Sequence, residues 1–200
     1  MKKDKKNFLI RWILLTSIIL PVGAIPGYIL NLFIHGKMGY SISDVGPPLL
    51  QTLEYCIWIT ILTATVSFIQ WIILQKQFKI SSFWILACVL GGVIGELLSG
   101  IVLWKMGINR ADLGPAQGGS IFTEVIIFLF SGTLIGLFQY PFMRKNFHKS
   151  GFWILASALG WGLIPAAFLL FGGVVLSTIT GMTLVWIMKP KGLEARAAGG

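Results

Sequence analysis

Long stretches of this sequence carry no charge, and they constrain its fold more than any other feature. Residues 152–188 contain no Asp, Glu, Lys or Arg. As a single helix this run would be about 55 Å long, at roughly 1.5 Å per residue, whereas the hydrocarbon core of a bilayer is about 30 Å thick. The run is therefore predicted to cross a membrane twice, with a turn at Phe171, Gly172 and Gly173.

Four further apolar stretches, each with a single charged residue, are near the length of ~20 residues that one helical crossing needs. They are residues 8–34, 49–75, 80–104 and 121–143. With the spans 152–171 and 174–188 they predict an all-α integral membrane protein of six transmembrane helices. The count is five if the short last segment lies in the membrane interface instead. Only 12% of the residues are charged, against roughly 25% in soluble domains, which excludes a water-soluble globule.

The distribution of basic residues predicts the orientation. All of the 16 Lys and Arg residues except Lys37, Lys105 and Arg110 fall on the side that holds both termini. Because short cytoplasmic loops retain positive charge during insertion, both termini are expected in the cytoplasm. The formal net charge of +9 is then a topology signal, with anionic lipids at the cytoplasmic face as its partner and no nucleic acid.

An internal repeat organises the spans. Residues 83–87 and 152–156 both have the sequence FWILA, an offset of 69, and the same offset pairs Gln70 with Gln139. Motifs of the intervening loops recur at an offset of 68. Since the offset contains two crossings, the copies have the same orientation. With a degraded third copy they predict three parallel helical hairpins.

One transmembrane domain is therefore predicted over residues 1–189. Residues 190–200 change abruptly to Ala, Gly and charged residues. We interpret them as either a cytoplasmic tail or an expression remnant, and they take no part in the predicted fold.

Several motifs resemble a known group of proteins. GLFQY followed by RK, then FWILASALGW and a closing TGMTLVWIMK, are similar to segments of small multi-spanning membrane proteins of cyanobacteria and Gram-positive bacteria. That group has tandem glutamine-aromatic and FWILA-type repeats, and the resemblance covers residues 60–189. Tyr140 stands where its repeats usually have Trp. The resemblance implies a bacterial inner-membrane location and brings no activity with it.

Three carboxylates lie within or at the edge of the predicted spans, all in the outer half: Glu54, Glu96 and Glu124. Ionisable groups at membrane depth often mark an ion, proton or substrate path, so these are candidate binding residues. The structural alternative places Glu54 and Glu124 at the water interface. It makes Glu96 a neutral carboxyl that bonds across a helix contact rich in small residues.

Gln70 and Gln139 are a second candidate pair, each followed by an aromatic residue. They are interpreted either as a site for a lipid headgroup or small ligand, or as amides that bond a neighbouring helix. Trp84 and Trp153, at the starts of the next helices, are predicted to be interfacial anchors.

Signatures of enzymes and of metal or cofactor binding are missing. His35 and His148 fall on opposite sides of the predicted membrane, and the sequence contains none of the common hydrolase or phosphate-loop motifs. Cys56 and Cys88 are expected to be free buried thiols. No catalytic residue, metal site or cofactor is therefore predicted.

The leading functional hypothesis is a non-enzymatic protein that binds or transports a cation, a proton or a cationic amphiphile through an acidic cavity in its outer half. The alternative is an accessory, immunity or assembly subunit with a membrane-protein partner. A lipid-modifying enzyme is the third hypothesis.

Overall fold

The computed structural model describes residues 2–38, 48–108 and 120–188. Two of the predicted loops and the tail lie outside these ranges. All regular elements within them are α-helices, six in this part of the chain, which confirms the predicted all-α class. They are α1 (Lys2–Met38), α2 (Pro48–Phe78), α3 (Phe83–Lys105), α4 (Ile121–Asn146), α5 (Phe152–Gly162) and α6 (Phe168–Ile187).

Four of the described helices contain segments long and apolar enough to cross a membrane. These segments are Lys5–Gly27, Thr52–Phe78, Phe83–Lys105 and Ile121–Asn146. Helices satisfy their own backbone hydrogen bonds, which lipid cannot do for them. The chain is therefore a membrane-embedded, multi-pass protein. Of the remaining two helices, α6 has 20 residues and α5 has 11, so α5 is only about 16 Å long.

The helices form a closed ring. Each helix packs against the next one in the chain, and α6 also packs against α1. Phe8, Phe78 and Phe147 contact one another in series at one end of the bundle, which we call the basic end; the opposite end is the far end. Eight of the described cations belong to helix ends and loops at the basic end: Lys5, Lys6, Arg11, Lys76, Lys79, Arg144, Lys145 and Lys149.

The predicted turn at residues 171–173 is wrong. The chain reverses at residues 163–167, so the fifth helix is shorter than the predicted span 152–171 and the sixth begins earlier than residue 174. Pro165 accounts for the position of the turn, because proline lacks an N–H group and disfavours helical geometry in the residue before it.

The glycines expected to turn the chain lie instead inside α6, where they permit close packing. A methyl group on Gly172 would lie 2.9 Å from Cγ2 of Ile164, and one on Gly173 would lie 2.5 Å from the backbone oxygen of Ser17 in α1. Small residues are what lets transmembrane helices approach one another closely. Gly173 therefore belongs to the seam between α1 and α6 that closes the ring.

Glycine residues also permit close contact between α3 and α4. A methyl group on Gly91 would lie 2.6 Å from Cα of Ile135, and one on Gly95 would lie 2.7 Å from Cα of Ser131. These are backbone atoms, which cannot move aside without shifting a helix. The two contacts also show that α3 and α4 are antiparallel, with Gly95 level with Ser131.

We expect Gly91→Ala to destabilise the bundle. Overpacking at a rigid contact costs about 1–3 kcal/mol, partly offset by the better helix propensity of alanine, so the unfolding temperature should fall. Gly151→Ala is the matched control, because Gly151 has no neighbouring atom within 4 Å of the added methyl. Thermal unfolding in detergent, followed by circular dichroism, should separate the two. Equal stability of both variants would contradict the packing assigned to Gly91.

Candidate functional site

Glu96 is a buried carboxyl group on α3, with only 4% of its surface exposed. Gly92 and Gly100 lie one turn to either side of it on the same helix face. A methyl group on Gly92 would lie 2.9 Å from Cγ2 of Thr63, and one on Gly100 would lie 2.8 Å from Oγ1 of Thr52. Both threonines belong to α2, so Glu96 lies on the face of α3 that packs against α2.

The facing stretch of α2 offers oxygen acceptors to this carboxyl. The hydroxyl of Thr63 donates to the carbonyl of Ile59, and that of Thr60 donates to the carbonyl of Cys56, both at 2.6 Å. The hydroxyl protons are thus used within α2, while the oxygen lone pairs remain acceptors. A carboxylate together with hydroxyl oxygens is a donor set that suits a hard cation.

Glu124, at the start of α4, does not lie beside Glu96. Since Gly95 is level with Ser131, the depth of Glu96 corresponds to the middle of α4. Glu124 precedes Ser131 by two helical turns and therefore lies about 10 Å nearer the far end.

Glu54 lies on yet another helix face. It precedes Trp58 by one turn, and the indole ring of Trp58 occupies the space beside Gly27 of α1. Glu54 therefore belongs to the side of α2 that faces α1, away from the face that meets Glu96. Each of the three carboxylates takes part in an interaction within the protein.

The three predicted acidic residues are thus spread over three helices and different faces. Within residues 2–38, 48–108 and 120–188, no group of three or more His, Cys, Asp or Glu side chains could hold a metal ion. Cys56 and Cys88 are free and buried, as predicted. Glu96 is the most deeply buried of the three carboxylates and the strongest candidate for a binding role.

A cluster of three tryptophans fills the interior at the basic end. Trp12 of α1 and Trp153 of α5 have ring centroids 6.4 Å apart, and Trp84 of α3 lies 5.6 Å from Trp153. All three side chains are at most 1% exposed. We call them the tryptophan triad. Trp153 packs against both other rings, so the triad forms part of the buried interior at this end.

The predicted role of Trp84 and Trp153 as interfacial anchors is wrong. An anchor faces lipid and headgroups, whereas both indoles face the interior. Sequence reasoning also missed Trp12 entirely. The signal was present, because Trp-Ile-Leu at residues 12–14 repeats at 84–86 and 153–155.

One turn beyond the triad, toward the far end, the interior becomes polar. Trp12, Trp84 and Trp153 are each followed four residues later by a buried Thr, Cys or Ser, and the other three helices add further polar groups. This polar layer consists of Thr16, Ser67, Gln70, Cys88, Gln139, Ser157 and Thr180. It separates an apolar cluster around the triad from a second apolar cluster in the body of the bundle.

Indole groups bond to the polar layer across helix boundaries. Trp12 Nε1 donates to Thr180 Oγ1 at 3.1 Å, and Trp153 Nε1 donates to Gln139 Oε1 at 2.9 Å. Gln139 thus bonds a neighbouring helix, which confirms the structural interpretation of this residue. Its role in ligand binding stays a prediction, as does that of Gln70, which is also buried.

The two copies of the repeat differ at this point. Trp84 and Gln70 are the counterparts of Trp153 and Gln139 at the offset of 69, yet the indole nitrogen of Trp84 has no hydrogen-bond partner. Gln139 Nε2 and Thr16 Oγ1 are buried without a partner as well. Buried polar atoms normally bond to protein or to ordered water, so the hydrogen-bonding capacity of this layer is only partly used within the protein.

Comparisons of the chain with protein-family models, with curated protein sequences and with solved structures return no match.

The repeat provides an internal test of the bond between Trp153 and Gln139. In a double-mutant cycle, Trp153→Phe and Gln139→Leu should couple by about 0.5–1.5 kcal/mol, because removing either partner breaks one hydrogen bond. The equivalent cycle of Trp84→Phe and Gln70→Leu should show coupling near zero. Unfolding free energies in detergent measure both cycles. Equal coupling in the two pairs would show that they are bonded alike.

Proposed function

We propose that this chain is a non-enzymatic membrane protein that binds or transports a small cation, a proton or a cationic amphiphile, and that Glu96 receives the positive charge. The observation that carries the proposal is the burial of Glu96, 4% exposed, inside a helix long and apolar enough to span a membrane. Burying a carboxylate in lipid costs several kcal/mol unless it is paired or protonated. A bound cation or proton removes that cost.

The surroundings of Glu96 supply oxygen atoms that a bound cation could use. Gly92 and Gly100 let α2 approach closely on either side of the carboxyl, and α2 presents the oxygens of Thr52 and Thr63 at these two contacts. Glu54 and Glu124 are half-buried nearer the far end. We assign them to the approach of a positively charged species toward Glu96.

The tryptophan triad bears on the type of transport. Trp153 contacts both Trp12 and Trp84, and these three fully buried indoles fill space in the described interior at the basic end. A constitutively open pore therefore fits the interior poorly. Binding from the far end fits it better, with release on the other side requiring the triad to separate.

The proposal includes the finer architecture. We infer three hairpins, α1–α2, α3–α4 and α5–α6, as parallel copies around the bundle axis. The support is that each hairpin contributes one Trp-Ile-Leu segment, and that the three tryptophans meet. We also infer a location in the bacterial inner membrane with both termini in the cytoplasm, since the basic end then faces inward.

Cysteine labelling tests this orientation. Met106 at the far end and Asn146 at the basic end are both exposed, and the two native cysteines are buried. We expect a membrane-impermeant maleimide to label Met106→Cys in intact cells and Asn146→Cys only after permeabilisation. The opposite pattern would overturn the orientation.

Flux measurements with Glu96 variants test the function. Proteoliposomes loaded with a pH-sensitive dye report protons, and potassium and tetraphenylphosphonium represent the other two classes of charge. For whichever probe the wild type binds or carries, Glu96→Gln should lower the signal at least about tenfold. Removing the negative charge is expected to weaken the binding free energy of the cation by about 1.4 kcal/mol or more. Glu96→Asp should retain part of it.

The control is Leu97→Met, which changes the next residue, an exposed one, and keeps the charge pattern. Wild-type signals equal to those of empty vesicles for all three probes would contradict the proposal, as would an unchanged signal in Glu96→Gln. Native mass spectrometry of the gently purified protein completes the test. A stoichiometric second polypeptide in place of a small ligand would favour the accessory-subunit hypothesis.

A further inference from the structure

A groove lies between the first and last helices at the basic end. It has a volume of about 460 Å³ and is lined by Lys5, Leu9, Met182, Val185 and Trp186. Ligand sites typically have roughly 300–1,000 Å³. Four of the five lining side chains are large and hydrophobic, while the fifth is a cation. Met182 and Trp186 are 60% and 52% exposed, so the groove opens on the lipid-facing surface of the bundle.

The cation of the groove is held in place by the end of α6. Lys5 Nζ donates to the carbonyl oxygens of Met188 at 3.0 Å and Val185 at 3.5 Å. The last turn of α6 has no basic residue of its own, so Lys5 supplies the positive charge that its terminal carbonyls favour. An ammonium group has three donors, and the third remains available to an acceptor in the groove.

A second cation adjoins the same groove. Lys149 Nζ lies 5.2 Å from the ring centroid of Trp186, and Phe152 packs edge-on against that ring at 4.8 Å. The backbone of Lys149 has a φ of 57°, a left-handed conformation that is uncommon for residues with a side chain. Lys5 therefore lines the groove directly, and Lys149 lies against Trp186, one of the residues that line it.

We propose that this groove binds one anionic phospholipid. Its acyl chain would lie along Leu9, Met182 and Val185, and its phosphate would be bound by Lys5 and Lys149. In a membrane-embedded protein, the molecule that fills a lipid-facing groove is a lipid, and basic pockets between helices select anionic headgroups. The proposal does not depend on the role of Glu96.

Lipid retention tests this site. Wild-type protein equilibrated with mixed vesicles of phosphatidylglycerol and phosphatidylcholine should retain phosphatidylglycerol preferentially in native mass spectrometry. Lys149→Gln should weaken that retention by roughly fivefold, and Lys5→Gln together with Lys149→Gln by about 25-fold. Lys149→Gln leaves the bonds from Lys5 to α6 intact, so it separates lipid binding from folding.

Lys79→Gln is the matched control. Lys79 lies in the loop between α2 and α3, is exposed, and also has a left-handed backbone, with a φ of 50°, but does not line the groove. Its replacement should leave retention unchanged, whereas Met182→Trp should fill the groove and reduce it.

Two results would overturn the proposal. One is equal retention of the two lipids by the wild type. The other is a loss of phosphatidylglycerol retention in Lys79→Gln as large as that in Lys149→Gln. Retention would then depend on the overall surface charge and not on the groove.

Discussion

Backbone-to-backbone contact at glycine is the constraint on which this bundle depends. Transmembrane helices gain little from hydrophobic burial against one another, because lipid is as apolar as their side chains. Close van der Waals contact has to hold them instead. Gly91 and Gly95 bring α3 against α4, Gly132 and Gly136 bring α4 against α5, and Gly173 brings α6 against α1. If these contacts were wider, lipid would reach the polar groups that the ring now shields.

The interior that results is layered. The tryptophan triad and its apolar neighbours fill the basic end, the polar layer follows, and a second apolar cluster fills the body of the bundle. Some polar groups of this layer bond an indole or a backbone carbonyl, as Thr180 and Gln139 do. The pairs Trp153–Gln139 and Trp84–Gln70 occupy equivalent sequence positions but bond differently, so the repeated segments have diverged in the interior.

Helix number and class were predictable because each uncharged run is long enough to leave few alternatives. The boundary between α5 and α6 was not predictable, because a glycine pair such as Gly172 and Gly173 is compatible both with a turn and with close helix packing. The turn lies at Pro165 instead. Trp84 and Trp153 were misplaced for a related reason. Their depth follows from the sequence, but whether an indole faces lipid or the interior depends on helix rotation. Glu96 was identified by its small neighbours, whereas its facing threonines required knowledge of which helices pair.

The seam between α1 and α6 joins residues near opposite ends of the chain. Lys5 bonds Met188 across a separation of 183 residues, and Trp12 bonds Thr180 across 168. Chains are synthesised from the N-terminus at about 5–20 residues per second. Thr180 is therefore synthesised at least several seconds after Trp12, and the hydrogen bond between them forms only after that interval. The contact between α1 and α6 cannot form before α6 is synthesised, so closure of the ring is a late event in biosynthesis.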